Sequence, residues 1–425
     1  MITILFVCLI LFIFGGMGIA LALGASSLFA LIFSGIGLDL VIIPQRVVGT
    51  LARSWALIAI PMFVMLGEIF DKAGISEKLI EVANILVGKI SGALGIVNII
   101  VSFFFGGISG SASADTAAIG GVMIPAMKKA GYDSEFSTVV TITSSTLGPI
   151  VPPSVLMIIF SWVTEIPLGT LFLAGYLPGF TLMIGLIITT YYISKKRNYP
   201  THERPPLDKA IKSLLYAIPA LLTPFIIVFG IVLGVMTAVE SSVVALVYSI
   251  IISVFFYKSL KLSDIKEIIY NTTKVTANIG LLLAFAAGFS YIITYSRLPY
   301  MISQSIAAMN FNPIIFLIIN VLLFLLLGMI LNPGAIVLMA VPVLFPSALA
   351  LGINPIHYTL VSALAMCVGH VTPPVGLCLF VGCSISGDKI EDLVKPLLPF
   401  ILTMLVVILI IILFPQIVLF LPNLF

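Results

Sequence analysis

Apolar runs long enough to cross a lipid bilayer recur along the whole chain. Examples are Ile4–Leu23, Leu214–Leu233, Val239–Tyr257, Ile314–Leu331 and Ile401–Phe420, and a helix needs about 20 such residues to span the hydrocarbon core. Only 9% of the 425 residues are charged and 61% are hydrophobic, against about 25% charged in soluble domains. Because lipid offers no hydrogen bonds to an open backbone, these runs predict an all-α polytopic membrane protein.

The two halves of the chain resemble each other at an offset of 221 positions. The matching pairs are Gly107 with Gly328, Gly148 with Gly369, and Pro152-Pro153 with Pro373-Pro374. Glycines and a proline pair kept at one offset indicate an internal repeat. We therefore predict a first repeat over 1–194, a cytoplasmic linker over 195–213 and a second repeat over 214–425.

Each repeat is predicted to contain five transmembrane spans and one re-entrant helical hairpin. In the first repeat the spans are 2–20, 24–42, 54–70, 136–160 and 171–194, with the hairpin at 93–125. In the second they are 214–234, 237–257, 275–295, 357–383 and 397–421, with the hairpin at 313–345. The spans 136–160 and 357–383 each contain a proline pair, which predicts a broken helix.

The distribution of basic residues predicts the orientation of the two repeats. With the linker inside the cell, 17 of the 20 Lys and Arg residues fall on the inner side, and only Arg46, Arg53 and Arg297 fall outside. Five spans per repeat is an odd number, so the repeats are inverted with respect to each other. Segments 39–53 and 258–274 are partly amphipathic and are predicted to be interfacial arm helices, with ordinary loops as the alternative.

The run Phe103–Pro125 carries most of the polar chemistry of the first half. It places glycines, serines and Asp115 together in an apolar context, where irregular backbone survives only against protein or a water-filled cavity. Tight packing through small residues would explain the glycines, but not a carboxylate at membrane depth. The run therefore predicts a hairpin tip whose oxygens suit a hard cation such as sodium.

The proline-marked breaks offer free carbonyls and helix ends for binding. Ser144–Ser154 and Cys367–Gly376 occupy matching places, and the ends of half-helices bind ions in many transporters; simple kinks are the alternative. The second hairpin tip is plainer, with Asn332 as its uncharged oxygen. His370 could carry protons, contact substrate or simply pack at a helix end, and Glu68 is a secondary candidate for an interior carboxylate.

Several function classes lack their motifs in this chain. The sequence contains no GxxxxGK[ST] phosphate loop, no HExxH and no GxSxG. We therefore expect neither an enzyme nor a transporter that binds ATP itself. No arginine lies at predicted membrane depth, so an anion would have to be held by hydroxyls, backbone amides and bound cations.

Four runs in the chain resemble one known family. The sequences GGISGSASADTAAIG, IPAMKKAGYDSEFS, SSTLGPIVPPSVLMII and VTPPVGLCLFVG are similar to those of the large, DctM-type membrane subunit of tripartite ATP-independent periplasmic (TRAP) transporters. The resemblance covers the whole length. This chain departs from the family pattern at the second hairpin, where an acidic residue would be expected near Asn332.

The resemblance implies a sodium-coupled importer of an organic acid, such as sialic acid or a C4-dicarboxylate, in the bacterial inner membrane. It implies an elevator movement, two or more Na⁺ ions, a small four-helix membrane subunit and a periplasmic substrate-binding protein. Membrane lipid would surround the chain, and no nucleic acid partner is expected. The alternatives are a stand-alone sodium/carboxylate symporter of the same fold and, from another class, a channel.

The resemblance also implies site residues. Sodium site one would use Ser109, Ser111, Ser113, Asp115, Ser145, Thr146, Gly148 and Pro149. Sodium site two would use Gly328, Asn332, Pro333, Gly369, Val371 and Thr372. The substrate would contact Ser113, Thr116, Pro152, His370 and Pro373.

Overall fold

The computed structural model describes residues 1–35, 39–53, 55–87, 90–201, 207–309 and 311–425. The described ranges form twenty α-helices and contain no β-strand, which confirms the predicted all-α fold. Ser54, the first residue of the predicted span 54–70, lies outside the described residues. Five of the basic residues used to predict the orientation are also affected. Lys89 and Arg204 lie outside the described residues, as do the side chains of Arg53, Lys209 and Lys212.

The helices follow one another with short connections. In the first half they are α1 Ile2–Phe14, α2 Ile19–Phe33, α3 Ile42–Arg53, α4 Ala59–Lys72, α5 Ile75–Val87, α6 Ala93–Ser109, α7 Ala112–Lys129, α8 Ser134–Ser144, α9 Val155–Thr164 and α10 Leu168–Lys196. In the second half they are α11 Leu207–Val232, α12 Ala238–Ile251, α13 Asp264–Tyr295, α14 Leu298–Ala308, α15 Pro313–Gly328, α16 Pro333–Ala350, α17 Pro355–Gly369, α18 Leu377–Ser386, α19 Ile390–Leu413 and α20 Gln416–Leu419. Among the described residues, six helices are long and apolar enough to cross a membrane: α10, α11, α12 with the π-helical turn that follows it, α13, α16 and α19.

At both predicted hairpins two helices are joined by a short turn, and at both predicted breaks the helix is interrupted. The hairpin at 93–125 consists of α6 and α7, and the hairpin at 313–345 consists of α15 and α16. Their second arms run on to Lys129 and Ala350, so each is a few residues longer than predicted. The predicted broken helices are α8 followed by α9, and α17 followed by α18.

Several predicted boundaries are wrong. The helix α11 begins at Leu207 and not at 214, and α19 spans Ile390–Leu413 and not 397–421. The turn between the first two helices lies at Gly15–Gly18, not between residues 20 and 24. Gly16 takes a positive φ of 84°, which ends α1 early. The predicted interfacial helix 258–274 is not separate, since residues 264–274 form the first turns of α13. No proline or glycine lies between Asp264 and Asn278, so nothing there breaks the helix.

The contacts between helices fall into two groups. In one, α13 packs against α2, α3 and α4, while α11 and α12 pack on each other. In the other, the two hairpins pack on the broken helices, and α10 and α19 pack against them. The helix α5, which lies in a stretch predicted only as a loop, joins the groups because it contacts both α6 and α11. A cavity lies where the two groups meet.

A polar contact ties the two broken helices together. The Asp388 carboxylate, just after α18, accepts hydrogen bonds from the hydroxyls of Ser134 and Thr138 at 2.8 and 3.0 Å, in the first turns of α8. Nearby, the Lys128 ammonium donates to the Ser386 carbonyl at 3.0 Å. These bonds join elements from opposite halves of the sequence.

We expect Asp388→Ala to lower the free energy of unfolding by about 1–2 kcal/mol, because it removes two hydrogen bonds to a charged acceptor that is partly exposed. The measurement is the melting temperature of the purified chain in detergent. Asp392→Ala is the control, since its exposed carboxylate makes no hydrogen bond in the described residues. An equal fall in both variants would show that the contact does not stabilise the fold.

Candidate functional site

The first hairpin turns over two residues. Its first arm ends at Ser109 and its second begins at Ala112, so Gly110 and Ser111 form the turn. Gly110 has φ +60°, and a Cβ at this position would lie 2.9 Å from the Pro153 carbonyl oxygen. Only glycine allows so close an approach. The tip therefore lies directly against the break of the neighbouring helix.

The first helix break is held open by its own polar groups. After α8 the chain makes a short 3₁₀ turn, Ser145–Leu147, and α9 starts at Val155. The Ser154 hydroxyl donates to the Pro149 carbonyl at 2.6 Å and accepts from the Met157 amide at 3.3 Å. Ser154 thus caps α9 and satisfies a carbonyl that the prolines leave without a helical donor.

The second hairpin is docked on the second break in a similar way. The Asn332 side-chain oxygen accepts from the Gly334 amide at 2.9 Å and caps α16. The Gly376 amide, just before α18, donates to the Met329 carbonyl in the hairpin tip at 2.9 Å. The oxygen predicted as an ion ligand at Asn332 therefore accepts a helix-capping bond in this structure.

A glycine-to-glycine contact joins hairpin and broken helix in both halves. A Cβ added to Gly106 would lie 2.7 Å from the Gly148 Cα, and a Cβ added to Gly369 would lie 2.7 Å from the Gly328 Cα. Backbone atoms cannot move aside at such distances without shifting a helix. Two of the predicted site residues, Gly328 and Gly369, are thus required for close helix packing, whereas a Cβ at Gly148 would lie 3.3 Å from its nearest neighbours.

Asp115 is fully buried in α7, behind the first tip. Neither of its carboxylate oxygens has a hydrogen-bond partner in the described residues. Ser102 and Ser145 lie beside it, but the Ser145 hydroxyl donates to the Thr141 carbonyl at 2.8 Å, so it presents lone pairs rather than a proton. A buried charge is normally paired or bound to a metal ion. This group of oxygens therefore fits a cation.

His370 directly follows α17 and lines the same region from the second half. It is only 4% exposed, and neither ring nitrogen has a hydrogen-bond partner among the described residues. Buried polar groups are normally hydrogen-bonded. An imidazole with two free nitrogens at a cavity wall is therefore a candidate ligand contact.

A cavity of about 890 Å³ lies between the hairpin tips on one side and α4 and α13 on the other. This volume is within the range of small-molecule binding sites, about 300–1,000 Å³. Seven of the predicted site residues line it: Ser109, Ser111, Ser113, Pro149, Asn332, Pro333 and His370. The structure thus brings together parts of both predicted sodium sites and of the predicted substrate site.

The other predicted site residues do not line this cavity. They are Asp115, Thr116, Ser145, Thr146, Gly148, Pro152, Gly328, Gly369, Val371, Thr372 and Pro373. Four of their hydroxyls donate to carbonyls within their own segments: Ser145 to Thr141 at 2.8 Å, Thr116 to Ala112 at 2.9 Å, Thr146 to Thr143 at 2.6 Å and Thr372 to Val368 at 2.6 Å. Thr116, Pro152 and Pro373, predicted to touch the substrate, lie away from the cavity in this conformation.

The opposite wall carries polar residues, of which the sequence reasoning named only Glu68, as a secondary candidate. Glu68 and Asp71 line it from α4, and Asn278 lines it from α13. A signal existed in the helical spacing, because Val64, Gly67, Glu68 and Asp71 fall on one face of α4. The two helices are joined by hydrogen bonds from Asn271 to Glu68 at 3.0 Å and from Lys72 to Glu267 at 2.8 Å.

Three helix N-termini also open onto the cavity. Residues at the start of α7, α9 and α16 are among those that line it. Free backbone amides and the helix dipole make such ends favourable for anions. Among the described residues lining the cavity there is no lysine or arginine, so these ends supply its positive potential.

Comparison with known proteins decides the family. The sequence matches the family described as "Tripartite ATP-independent periplasmic transporter, DctM component" over residues 6–417. The chain belongs to this family. It is 35% identical over 372 residues to the sialic acid TRAP transporter large permease protein SiaM of Vibrio cholerae. The aligned residues cover 88% of this chain and 87% of SiaM.

A second relative supports the DctM assignment, and a solved structure shows the same fold. The C4-dicarboxylate TRAP transporter large permease protein DctM of Pseudomonas aeruginosa is 33% identical over 372 residues, covering 88% of this chain and 87% of that protein. The crystal structure of the YdaH transporter of Alcanivorax borkumensis matches with a TM-score of 0.66 at 14% identity, covering 89% and 88% of the two chains. The chain is therefore a multi-pass transporter permease and not an enzyme, as predicted.

Proposed function

We propose that this DctM-family permease is a sodium-coupled secondary active importer of an organic acid. A periplasmic binding protein would deliver the acid, and a small four-helix membrane subunit would complete the transporter in the bacterial inner membrane. The names of its relatives make sialic acid and C4-dicarboxylates reasonable first substrates to test. The observation that carries the sodium coupling is the buried Asp115 carboxylate, with two unpartnered oxygens directly behind a tip that lines the cavity.

Sodium at Asp115 would act on the cavity through the first hairpin. The ion would neutralise the buried carboxylate, and Ser145 would offer it a further oxygen. Because Asp115 lies in the first turn of α7, an ion there would also order the tip formed by Gly110 and Ser111. The substrate carboxylate would then bind at the N-termini of α7 and α16, where helix dipoles and the nearby ion favour negative charge. A second ion would bind behind the second tip through backbone carbonyls, because Ile336 occupies the place that matches Asp115.

The movement would occur between the two groups of helices that meet at the cavity. One wall belongs to the hairpins and the helix breaks, and the other belongs to α4 and α13. The hairpins are fastened to the broken helices by the glycine contacts, so the two would move together. Sliding of this unit past α4 and α13 would carry ion and acid across the membrane, which is an elevator movement.

The test is uptake into proteoliposomes that contain the permease, its small subunit and its loaded binding protein. With labelled sialic acid, we expect an inward sodium gradient to raise the initial rate at least about tenfold over an equal potassium gradient, which corresponds to about 1.4 kcal/mol of coupling. Equal rates in sodium and potassium would refute sodium coupling. Full activity of the permease alone would favour the stand-alone symporter.

A further inference from the structure

The cavity carries two carboxylates on one wall and the start of several helices on the other. Glu68 and Asp71 lie one turn apart on α4, and both line the cavity. Glu68 is half-buried, and Asp71 is exposed. Across from them lie the N-termini of α7 and α16, which favour negative charge. One wall therefore suits a carboxylate, and the other repels one.

The basic residue nearest in sequence does not cancel this negative wall. Lys72 lies beside Asp71, but its ammonium is bound to Glu267 at 2.8 Å. Glu68 accepts a hydrogen bond from the neutral amide of Asn271 at 3.0 Å, and among the described residues neither Glu68 nor Asp71 forms a salt bridge. Neither carboxylate is therefore paired with a cation, and both can still accept hydrogen bonds from a ligand in the cavity.

His370 shows independently that the cavity is built for a polar ligand. It lines the cavity, is nine-tenths buried, and keeps both ring nitrogens without a partner among the described residues. A ligand that extends from the hairpin tips to α4 would form hydrogen bonds with this imidazole. Its far end would then face the oxygens of Glu68 and Asp71, which accept hydrogen bonds from donors and repel a second anion.

We propose that Glu68 and Asp71 select an organic acid with a single carboxylate, whose far end carries hydroxyl, amide or ammonium donors, and that they reject dicarboxylates. This rests on the proposed function, since it takes the cavity to be the site of the transported acid. The selection has an attractive part, the donors that meet the two carboxylates, and a repulsive part, the like charge that a second carboxylate would bring.

Two pairs of matched probes test the proposal on the full-length permease in detergent. Gluconate and glucarate share a six-carbon skeleton, while 4-hydroxybutyrate and succinate share a four-carbon one. Within each pair only the far end differs, a hydroxyl against a carboxylate. In sodium buffer, we expect the monocarboxylate of each pair to bind at least about tenfold more tightly, measured by thermal shift against probe concentration.

The double variant Glu68→Gln, Asp71→Asn removes the negative wall while keeping its shape. We expect it to reduce the tenfold preference to about equal binding, since like-charge repulsion is gone. The control is Glu391→Gln, Asp392→Asn, which makes the same change of charge at the exposed start of α19 and should keep the preference. Because each preference is a ratio within one variant, a loss of stability or yield does not alter it.

Three results would overturn the inference: dicarboxylates that bind the wild type as tightly as their partners, a double variant that keeps the full preference, or no binding by any of the four probes. Failure of the proposed function looks different. Equal affinities in sodium and potassium buffer, with the preference retained, would refute sodium coupling and leave the selection intact. Sodium-dependent binding with the opposite preference would refute the selection alone.

Discussion

Asp115→Asn is expected to reduce sodium-driven uptake about a hundredfold, which corresponds to a loss of about 3 kcal/mol of ion binding. The carboxylate is fully buried, and both of its oxygens lack a partner among the described residues. The amide keeps the size of the side chain but removes the negative charge that would hold the ion. The measurement is initial uptake in proteoliposomes under an inward sodium gradient, with Asp392→Asn as the exposed control.

The same variant should behave differently in stability measurements. Without sodium, Asp115→Asn should melt at a higher temperature than the wild type, because an uncompensated buried charge destabilises the fold. Addition of sodium should raise the melting temperature of the wild type and leave that of the variant unchanged. A variant that is less stable than the wild type without sodium, yet still stabilised by the ion, would assign Asp115 a purely structural role.

Gly369→Ala is expected to disrupt the second half of the site, with a loss of about 3 kcal/mol or more in stability. The new Cβ would lie 2.5 Å from the Leu325 carbonyl oxygen and 2.7 Å from the Gly328 Cα. These are backbone atoms of α15, so relief requires that the hairpin move off the broken helix. The measurements are the melting temperature of the purified permease and its uptake rate.

Gly280→Ala is the matched control for this prediction. Gly280 also lies within a helix, α13, but a Cβ there would meet no atom within 4 Å. Alanine favours helix by about 1 kcal/mol over glycine, so the control should be as stable as the wild type or slightly more so. If both variants behave alike, the close approach between α15 and α17 is not what Gly369 provides.

The pairing of hairpins with broken helices was predictable because it depends on local chemistry. Pro152-Pro153 and Pro373-Pro374 cannot continue a helix, and Gly110 allows a turn that other residues would strain. The bounds of α13 were not predictable in the same way. The polar run before Lys274 suggested a separate interfacial segment, yet no residue there stops the helix, and α13 continues through it.

The site was predictable only on its hairpin side. Ser111, Ser113 and His370 lie in motifs whose composition is unusual for an apolar chain, and they do line the cavity. Glu68 and Asp71 lie on a helix that looks ordinary in sequence, and only its packing opposite the hairpin tips places them at the cavity. Thr116 shows the reverse, since it belongs to the motif but its hydroxyl bonds within α7.

The sequence by itself determined the class of this protein, the positions of its hairpins and breaks, and the place of Asp115 in the first hairpin. These follow from apolar run length and from the conformational limits of glycine and proline, which act within a few residues. Only the tertiary structure decided which side chains share a cavity, because that depends on how α4 and α13 pack against elements distant in sequence. The acidic wall opposite the helix N-termini is a property of that packing.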